Sequence, residues 1–343
     1  PVGEPLRVPV DVVEGVGLAV GVPLGVPLGV AVTEGVALGG GGQVDLQGAN
    51  GHHHVQVRTA AGPAVVRVSP TGIVQGADQR VAFDTPLVSN RIGPGFDSVD
   101  MVILGHVHED HMTGLHRVPR AAVQVHEADL AAAQSWQGLS RHFGYPAEVL
   151  APMHDKLRAD FFYHPRPDAT AYQDGATWDL GGGVTVRAQH LPGHTAGHCA
   201  LVEDSHGVAF IGDIDLSGFG PYYGDATSSL ADFRRSLAAV AVLDARVWVT
   251  SHHRAVITDR ADFLAQLAAF TARIDEREAR LLAMLAPGPQ AMDDLVRQRL
   301  LYPPEHDALW VGFVERRSIG MHLDELLVQG RVQQQDDGRW RAA

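Results

Sequence analysis

One short stretch of this 343-residue chain constrains its fold more than any other. The run VDMVILG (residues 99–105) is apolar apart from one aspartate, which is typical of a strand buried on both faces of a sheet. The segment HVHEDH (106–111) follows it directly. Loops at the ends of such strands usually present ligands and catalytic groups in open α/β sheets, so we expect functional side chains here.

The segment after this strand is crowded with side chains that bind metals: His106, His108, Asp110 and His111. A single histidine beside a strand is usually a hydrogen-bonded core or surface residue. Residues two apart on an extended turn can point the same way, however, so His106 and His108 can hold one ion. Asp110 and His111 can then serve a neighbouring ion.

Further candidate ligands follow other predicted strands: His194 in LPGHTAGH, Asp213 in FIGD, and His252 with His253 in TSHH. Neutral imidazole and carboxylate suit Zn²⁺, and a catalytic zinc site leaves one position for water. Two ions about 3.5–4 Å apart would share a water molecule and lower its pKa towards neutrality. Such a pair needs a bridging carboxylate, for which Asp213 is the candidate.

The order of these motifs resembles the metallo-β-lactamase superfamily over roughly residues 45–257. The resemblance implies an α/β fold, a four-layer αββα sandwich with the metals at the edge between its two sheets. It also implies two zinc ions per chain, with iron or manganese as alternatives. It assigns His106, His108 and His194 to the first ion, Asp110, His111 and a late histidine to the second, and Asp213 to both. We prefer His252 as the late histidine, with His253 as the alternative.

Within the superfamily, LPGHTAGH and GDIDLSGFG are most similar to the glyoxalase II and thioesterase branch. This similarity implies a hydrolase in which a metal-bridging hydroxide attacks a small-molecule thioester, ester or lactone. Asp213 and Asp110 are then the catalytic carboxylates, with Asp110 both a ligand and a proton acceptor. A metal-dependent ribonuclease and a mononuclear iron persulfide dioxygenase are the alternative enzymes, and a metal-dependent binding protein is the non-enzymatic alternative.

Two tyrosines in GFGPYYGD, Tyr222 and Tyr223, follow the segment that contains Asp213. Their hydroxyl groups could bind a substrate carbonyl or line its pocket. The alternative is that both rings pack in the core, as aromatic side chains commonly do.

The charge and cysteine content limit the partners of the chain. Its formal net charge is −13 and no basic run occurs, whereas binding to nucleic acid or to an anionic membrane needs clustered lysine and arginine. We therefore expect neither partner. The single cysteine, Cys199, excludes an intramolecular disulfide and is consistent with a reducing cytoplasm.

The sequence suggests three regions. Residues 1–44 are rich in Gly, Val and Pro, and the frequent Gly and Pro indicate edge strands or an arm rather than a membrane span. Residues 45–258 are the predicted metallo-β-lactamase domain. Residues 259–343 show three helical patterns and a hairpin, the order of a winged helix. We expect this region to form a lid or a homodimer contact.

Overall fold

The computed structural model describes residues 35–38, 42–49, 52–59, 62–68, 72–91, 94–252 and 256–343. Much of the predicted N-terminal segment, residues 1–34, lies outside these ranges. The described remainder of that segment is strand. No helix in the described ranges combines the length and the apolar character needed to cross a membrane.

The first sheet of the described chain contains nine strands in sequential order. They are β1 (Gly35–Leu38), β2 (Gly42–Ala49), β3 (His52–Thr59), β4 (Gly62–Val68), β5 (Gly72–Gln75), β6 (Arg80–Phe83), β7 (Met101–Leu104), β8 (Ala122–His126) and β9 (Thr170–Tyr172). Pairing is antiparallel from β1 to β6 and parallel from β6 to β9. The alternating sequences after residue 44 therefore form antiparallel strands, as predicted.

The second sheet of the described chain contains six strands, also in sequential order. They are β10 (Thr177–Asp179), β11 (Thr185–His190), β12 (Cys199–Glu203), β13 (Val208–Phe210), β14 (Val247–Val249) and β15 (Val256–Ile257). All neighbours are antiparallel except β13 and β14, which are parallel. A helix therefore connects β13 to β14, as a parallel crossover requires.

The α-helices of the described chain are α1 (Pro94–Asp97), α2 (Leu130–Gln134), α3 (Trp136–Phe143), α4 (Ala147–Asp160), α5 (Leu230–Ala241), α6 (Arg260–Leu285), α7 (Met292–Gln298) and α8 (Val311–Val328). The starts of α5 and α6 follow ordinary capping rules. The side chain of Ser229 accepts a hydrogen bond from the backbone of Asp232 at the start of α5, and Asp259 caps α6 in the same way.

Strand β7 shows the predicted burial on both faces, since all of its residues are buried. Ile103 packs in the core between the sheets together with Leu201 of β12. The side chain of the preceding residue, Val102, lies on the other face of the sheet and packs with Leu139 of α3 in an outer core. Burying an aliphatic side chain of this size contributes about 1.5–3 kcal/mol relative to exposure, so both faces hold β7 in place.

Helices also cover the outer face of the second sheet. Trp248 of β14 stacks on Phe263 of α6 with ring centroids 4.3 Å apart, and Phe233 of α5 belongs to the same core. The layers are therefore helix, sheet, sheet and helix. This arrangement confirms the predicted αββα sandwich.

The C-terminal elements follow in the order expected from the sequence. Helices α6, α7 and α8 precede a hairpin of β16 (Val332–Gln334) and β17 (Trp340–Ala342). They share a separate small core, which contains Leu285 of α6 and Leu323 of α8. The first half of α6 instead packs on the second sheet through residues such as Phe263. This one long helix therefore joins the C-terminal elements to the sandwich.

Candidate metal centre

Each predicted ligand loop begins where a strand ends. The segment 106–111 follows β7, and its last residues form a short helical turn, Glu109–His111. His194 lies in the loop between β11 and β12, Asp213 follows β13, and His252 follows β14. The two sheets therefore bring side chains that are far apart in sequence to one place.

The first group of side chains consists of His106, His108 and His194, which are at most 1% exposed. Nε2 of His194 lies 3.0 Å from Nδ1 of His108. One carboxylate oxygen of Asp213, Oδ2, lies 3.3 Å from Nε2 of His194 and 3.8 Å from Nε2 of His106. One ligand atom from each of these residues therefore faces a common point.

The second group consists of Asp110, His111 and His252. Nε2 of His252 lies 3.1 Å from Oδ2 of Asp110, and Nε2 of His111 lies 3.7 Å from Oδ1 of Asp110. The other oxygen of Asp213, Oδ1, is 3.1 Å from Nε2 of His111 and 3.5 Å from Nε2 of His252. Asp213 thus turns one oxygen to each group.

The donor atoms of these groups fit a metal ion. Among the residues that the structure describes, three buried ligand atoms of these groups have no hydrogen-bond partner: Nδ1 and Nε2 of His106 and Oδ1 of Asp110. Buried polar atoms are almost always paired, because an unpaired one costs free energy. A cation that accepts these lone pairs would remove that cost, and the mixture of imidazole and carboxylate suits zinc and similar ions.

The segment that contains both groups also matches a family of known proteins. Residues 84–252 match the family model of the metallo-β-lactamase superfamily. These residues form a metallo-β-lactamase domain. The resemblance inferred from the motifs is thereby confirmed, and the family together with the buried cluster indicates a divalent metal ion.

Solved structures show the same fold. A metallo-β-lactamase family protein from Thermus thermophilus is 26% identical, with a TM-score of 0.62 over 86% of this chain and 99% of that chain. A β-lactamase domain protein from Burkholderia ambifaria is 19% identical, with a TM-score of 0.55 over 87% of this chain and 94% of that chain. Both likenesses extend beyond the matched domain.

A curated relative is the atrochrysone carboxyl ACP thioesterase of Pseudocercospora fijiensis (strain CIRAD86). It is 31% identical over 123 residues, which is 36% of this chain. The match spans 34% of the length of that relative. The similarity therefore concerns part of each protein.

Asp84 contacts the second group of side chains and was not predicted from the sequence. Its Oδ2 accepts a hydrogen bond from Nδ1 of His111 at 2.8 Å, and its Oδ1 accepts one from the backbone of Gly105 at 2.7 Å. Asp84 has a positive φ of 53°, a conformation that aspartate tolerates better than most residues. Because β6 and β7 are parallel neighbours with Phe83 opposite Ile103, Asp84 lies at the same end of the sheet as the loop that follows β7. The sequence signal for Asp84 is its position directly after the strand next to β7.

The first group is held from another direction, by residues 222 and 225. Nε2 of His108 lies 2.7 Å from Oδ2 of Asp225, and Nδ1 of His194 lies 3.0 Å from the backbone oxygen of Tyr222. Partners of this kind fix which ring nitrogen remains for a metal. In this arrangement Nδ1 of His108 and Nε2 of His194 are left facing each other.

Two further residues of the domain connect the ligand loops. The carboxylate of Asp129 accepts hydrogen bonds from the backbone of Val107 at 3.1 Å and from the hydroxyl of Thr195 at 2.7 Å. Nε2 of His198 accepts a hydrogen bond from the backbone of Asp213 at 3.2 Å. These contacts hold the loops that contain His106, His194 and Asp213 together in the absence of an ion.

The protonation states of His106 and Asp110 favour cation binding. Burial lowers the pKa of His106 well below its ordinary value, and the neighbouring His111 lowers it further. His106 is therefore a neutral imidazole, which is the form that binds metals. Burial alone would raise the pKa of Asp110, but His111 and His252 outweigh this effect and lower it to about 2. Asp110 is thus a carboxylate at neutral pH.

The structure packs Tyr222 and Tyr223 inside the protein. Tyr222 is 4% exposed and Tyr223 is fully buried. The hydroxyl of Tyr222 donates to Asp225 at 3.2 Å, and that of Tyr223 lies 2.9 Å from Nε2 of His322 on α8. Core packing, the alternative considered from the sequence, therefore describes both rings, because buried hydroxyl groups need internal partners.

Of the two late histidines, the structure describes His252 and places it in the second group. His253 lies outside the described residues. The preference for His252 as the last ligand is consistent with its position beside Asp110.

Proposed function

We propose that this protein is a binuclear zinc hydrolase that cleaves a thioester, an ester or a lactone, with an acyl-carrier thioester as the first candidate. The position of Asp213 carries this proposal, since its two oxygens face two separate groups of ligand-type side chains. A carboxylate in this position can hold two ions at a fixed separation. In the proposal, His106, His108 and His194 hold one ion, and Asp110, His111 and His252 hold the other.

Substrate would approach from the side of the second group. The side chains of Asp110 and His252 are 23% and 28% exposed, whereas those of His106, His108 and His194 are almost completely buried. We therefore expect a substrate carbonyl to reach the site from the side of Asp110 and His252.

When bound, two divalent ions lower the pKa of a shared water molecule and polarise the substrate carbonyl. The chain itself contributes fixed geometry and charge. Asp213 sets the separation of the two groups, and Asp84 and Asp225 orient His111 and His108. The low pKa of Asp110 keeps its carboxylate ionised, which suits a ligand and makes it a weak proton acceptor.

Two observations support a thioester over RNA. The name of the curated relative is that of a thioesterase that acts on an acyl carrier protein. The net charge of −13 is also unfavourable for a polyanion, whose binding depends on neutralising phosphates with lysine and arginine.

The test combines metal content with substrate choice. Purified protein is analysed by mass spectrometry for metals, stripped with a chelator, reloaded with zinc, and assayed on an acyl-carrier thioester, a simple ester, a lactone and RNA. We expect about two ions per chain, loss of activity on stripping and recovery with zinc. A single iron per chain with oxygen consumption in the presence of a persulfide, or cleavage of RNA alone, would contradict the proposal.

A further inference from the structure

A short segment after Asp213 separates the first group of histidines from the C-terminal helices. We name residues 219–225 the backing segment. On its inner side, the backbone oxygen of Tyr222 lies 3.0 Å from Nδ1 of His194, and Asp225 lies 2.7 Å from Nε2 of His108. The backing segment therefore holds two of the three histidines of the first group.

On its outer side, the backing segment is bound by Arg277 of α6. The guanidinium group of Arg277 donates to the backbone oxygens of Phe219 and Pro221, at 2.7 Å for Phe219, and to the hydroxyl of Tyr223 at 3.1 Å. Arg277 is only 7% exposed. A buried charged group is tolerated when hydrogen bonds compensate its lost hydration. Here the backing segment supplies three hydrogen-bond acceptors to the guanidinium group.

A second arginine, Arg317 of α8, binds the other end of the backing segment. Its Nη1 donates to the backbone oxygen of Gly224 at 2.6 Å and to that of Phe143 at 3.0 Å. Its Nη2 donates to the backbone oxygen of Gly144 at 3.1 Å. Arg317 thus fixes the backing segment against the end of α3.

The backing segment also packs tightly on α8. A Cβ atom added at Gly224 would lie 2.3 Å from Cγ1 of Val314, closer than van der Waals contact allows. The hydroxyl of Tyr223 lies 2.9 Å from Nε2 of His322 on the same helix. Glycine at position 224 therefore allows the backbone to approach the helix closely enough for the Arg317 contact.

We propose that Arg277 and Arg317 are positioning residues for one of the two metal ions. By fixing the backing segment, they fix the rings of His194 and His108, and so the C-terminal helices set the affinity of the first ion. The second ion does not depend on these arginines, because Asp84, the residue after β6, orients His111. This proposal rests on the binuclear site proposed above.

Arginine is suited to this role because its planar guanidinium group can bind several carbonyl oxygens at once. Lysine has one flexible ammonium group and cannot reproduce that geometry. Replacing either arginine by lysine should therefore lower the affinity for the first ion less than replacement by methionine does. The lysine variants should still bind that ion more weakly than the wild type.

The two metal positions can be separated with full-length variants. In a His252→Ala background the first group is the complete one, and in a His108→Ala background the second group is the complete one. Metal-free protein is titrated with Co²⁺, and binding is measured from the absorption bands of the bound ion. Affinity for Zn²⁺ is measured by competition with a chelator. Arg277→Met and Arg317→Met are added to each background, and circular dichroism confirms the fold.

We expect either arginine variant to lower metal affinity about 10 to 100-fold in the His252→Ala background, as is typical for loss of an orienting partner. The same variants should leave affinity unchanged in the His108→Ala background, where Asp84→Asn should lower it instead. Arg280→Met is the matched control, since Arg280 is exposed on α6 and should affect neither background.

Equal losses in both backgrounds, or no loss in the His252→Ala background, would overturn the proposal. If a methionine variant does not fold, the corresponding lysine variant decides by the same comparison. A wild-type protein that binds only one ion contradicts the binuclear site, whereas the dependence of that ion on Arg277 and Arg317 still tests the positioning role.

Discussion

The two groups of ligand-type side chains differ in how far they are enclosed. The histidines of the first group are at most 1% exposed, whereas the side chains of Asp110 and His252 in the second group are 23% and 28% exposed. In the proposed function, the partly open group is the one that substrate meets first. Enclosure of the other group favours a fixed geometry, because its side chains cannot change rotamer without moving their neighbours.

The groups also differ in which part of the chain supports them. Asp84 orients His111, and Asp84 follows the strand that neighbours β7, from which the loop of His111 begins. His108 and His194 are oriented by the backing segment, which in turn is bound by Arg277 and Arg317 of the C-terminal helices. The two groups thus have two separate supports in the fold, and the carboxylate of Asp213 lies between the groups.

Replacing Asp213 by alanine should have the largest effect, because Asp213 is shared by both groups. Its loss removes the negative charge that offsets both ions and the link that fixes their separation. We expect activity to fall by orders of magnitude and both ions to bind more weakly, while circular dichroism shows an intact fold. Asp204→Ala, at an exposed turn of the second sheet, is the control and should retain activity. Near wild-type turnover in Asp213→Ala would rule out a binuclear site.

The next largest effect should distinguish His252 from His253. Removing a ligand depletes its ion, whereas removing an orienting partner costs about 10 to 100-fold in affinity or activity. We therefore expect His252→Ala to retain about one ion per chain, in the enclosed group, and His253→Ala to retain two with a reduced rate. Metal per chain, measured for both variants, decides between them. Loss of an ion in His253→Ala alone would move the last ligand by one residue.

The sequence predicted those parts of the site whose residues are close together or follow a recognisable strand. His106, His108, Asp110 and His111 share one loop, and the spacing within that loop is a local signal. The burial of β7 on both faces and the order of the C-terminal elements were also predictable, because apolar periodicity depends on neighbouring residues.

The supports of the site were not predictable in this way. Asp225 lies 117 residues after His108, and Arg277 lies 54 residues after Tyr223, so no local pattern relates them. The burial of Tyr222 and Tyr223 is equally hard to predict, since sequence position alone does not show which way a ring points. Such contacts depend on how the helices pack on the sandwich.

A smaller effect is expected from Asp225→Asn, which tests the support of the enclosed group directly. The carboxylate of Asp225 orients His108 and also accepts hydrogen bonds from the hydroxyls of Tyr145 and Tyr222, at 3.0 and 3.2 Å. An amide has nearly the same shape but no charge, so we expect about a 10 to 100-fold loss of affinity for one ion. Competition with a chelator measures this loss. An equal loss of affinity for both ions would mean that the two supports are not separate.

The smallest effect concerns pH and the contact between the backing segment and α8. His322 is fully buried, and burial, followed by the charges of Arg277 and Arg234, lowers its pKa to about 3. In the unfolded chain its pKa is about 6.5, so below that pH the unfolded state binds a proton that the folded state excludes. The free energy of unfolding should therefore fall as the pH drops, with a contribution from this residue that approaches about 1.4 kcal/mol per pH unit below pH 6.5.

His322→Gln isolates that contribution, because glutamine can still accept a hydrogen bond from Tyr223 but does not titrate. Urea unfolding of the metal-free proteins, measured from pH 7 to pH 5, compares the two slopes without any effect of metal release. Other buried histidines contribute equally to both proteins, so the difference between the slopes belongs to His322. We expect a shallower slope for the variant. Parallel slopes would mean that His322 is protonated in the folded protein, and the neutral contact between Tyr223 and α8 would then have to be replaced by one in which the tyrosine oxygen accepts.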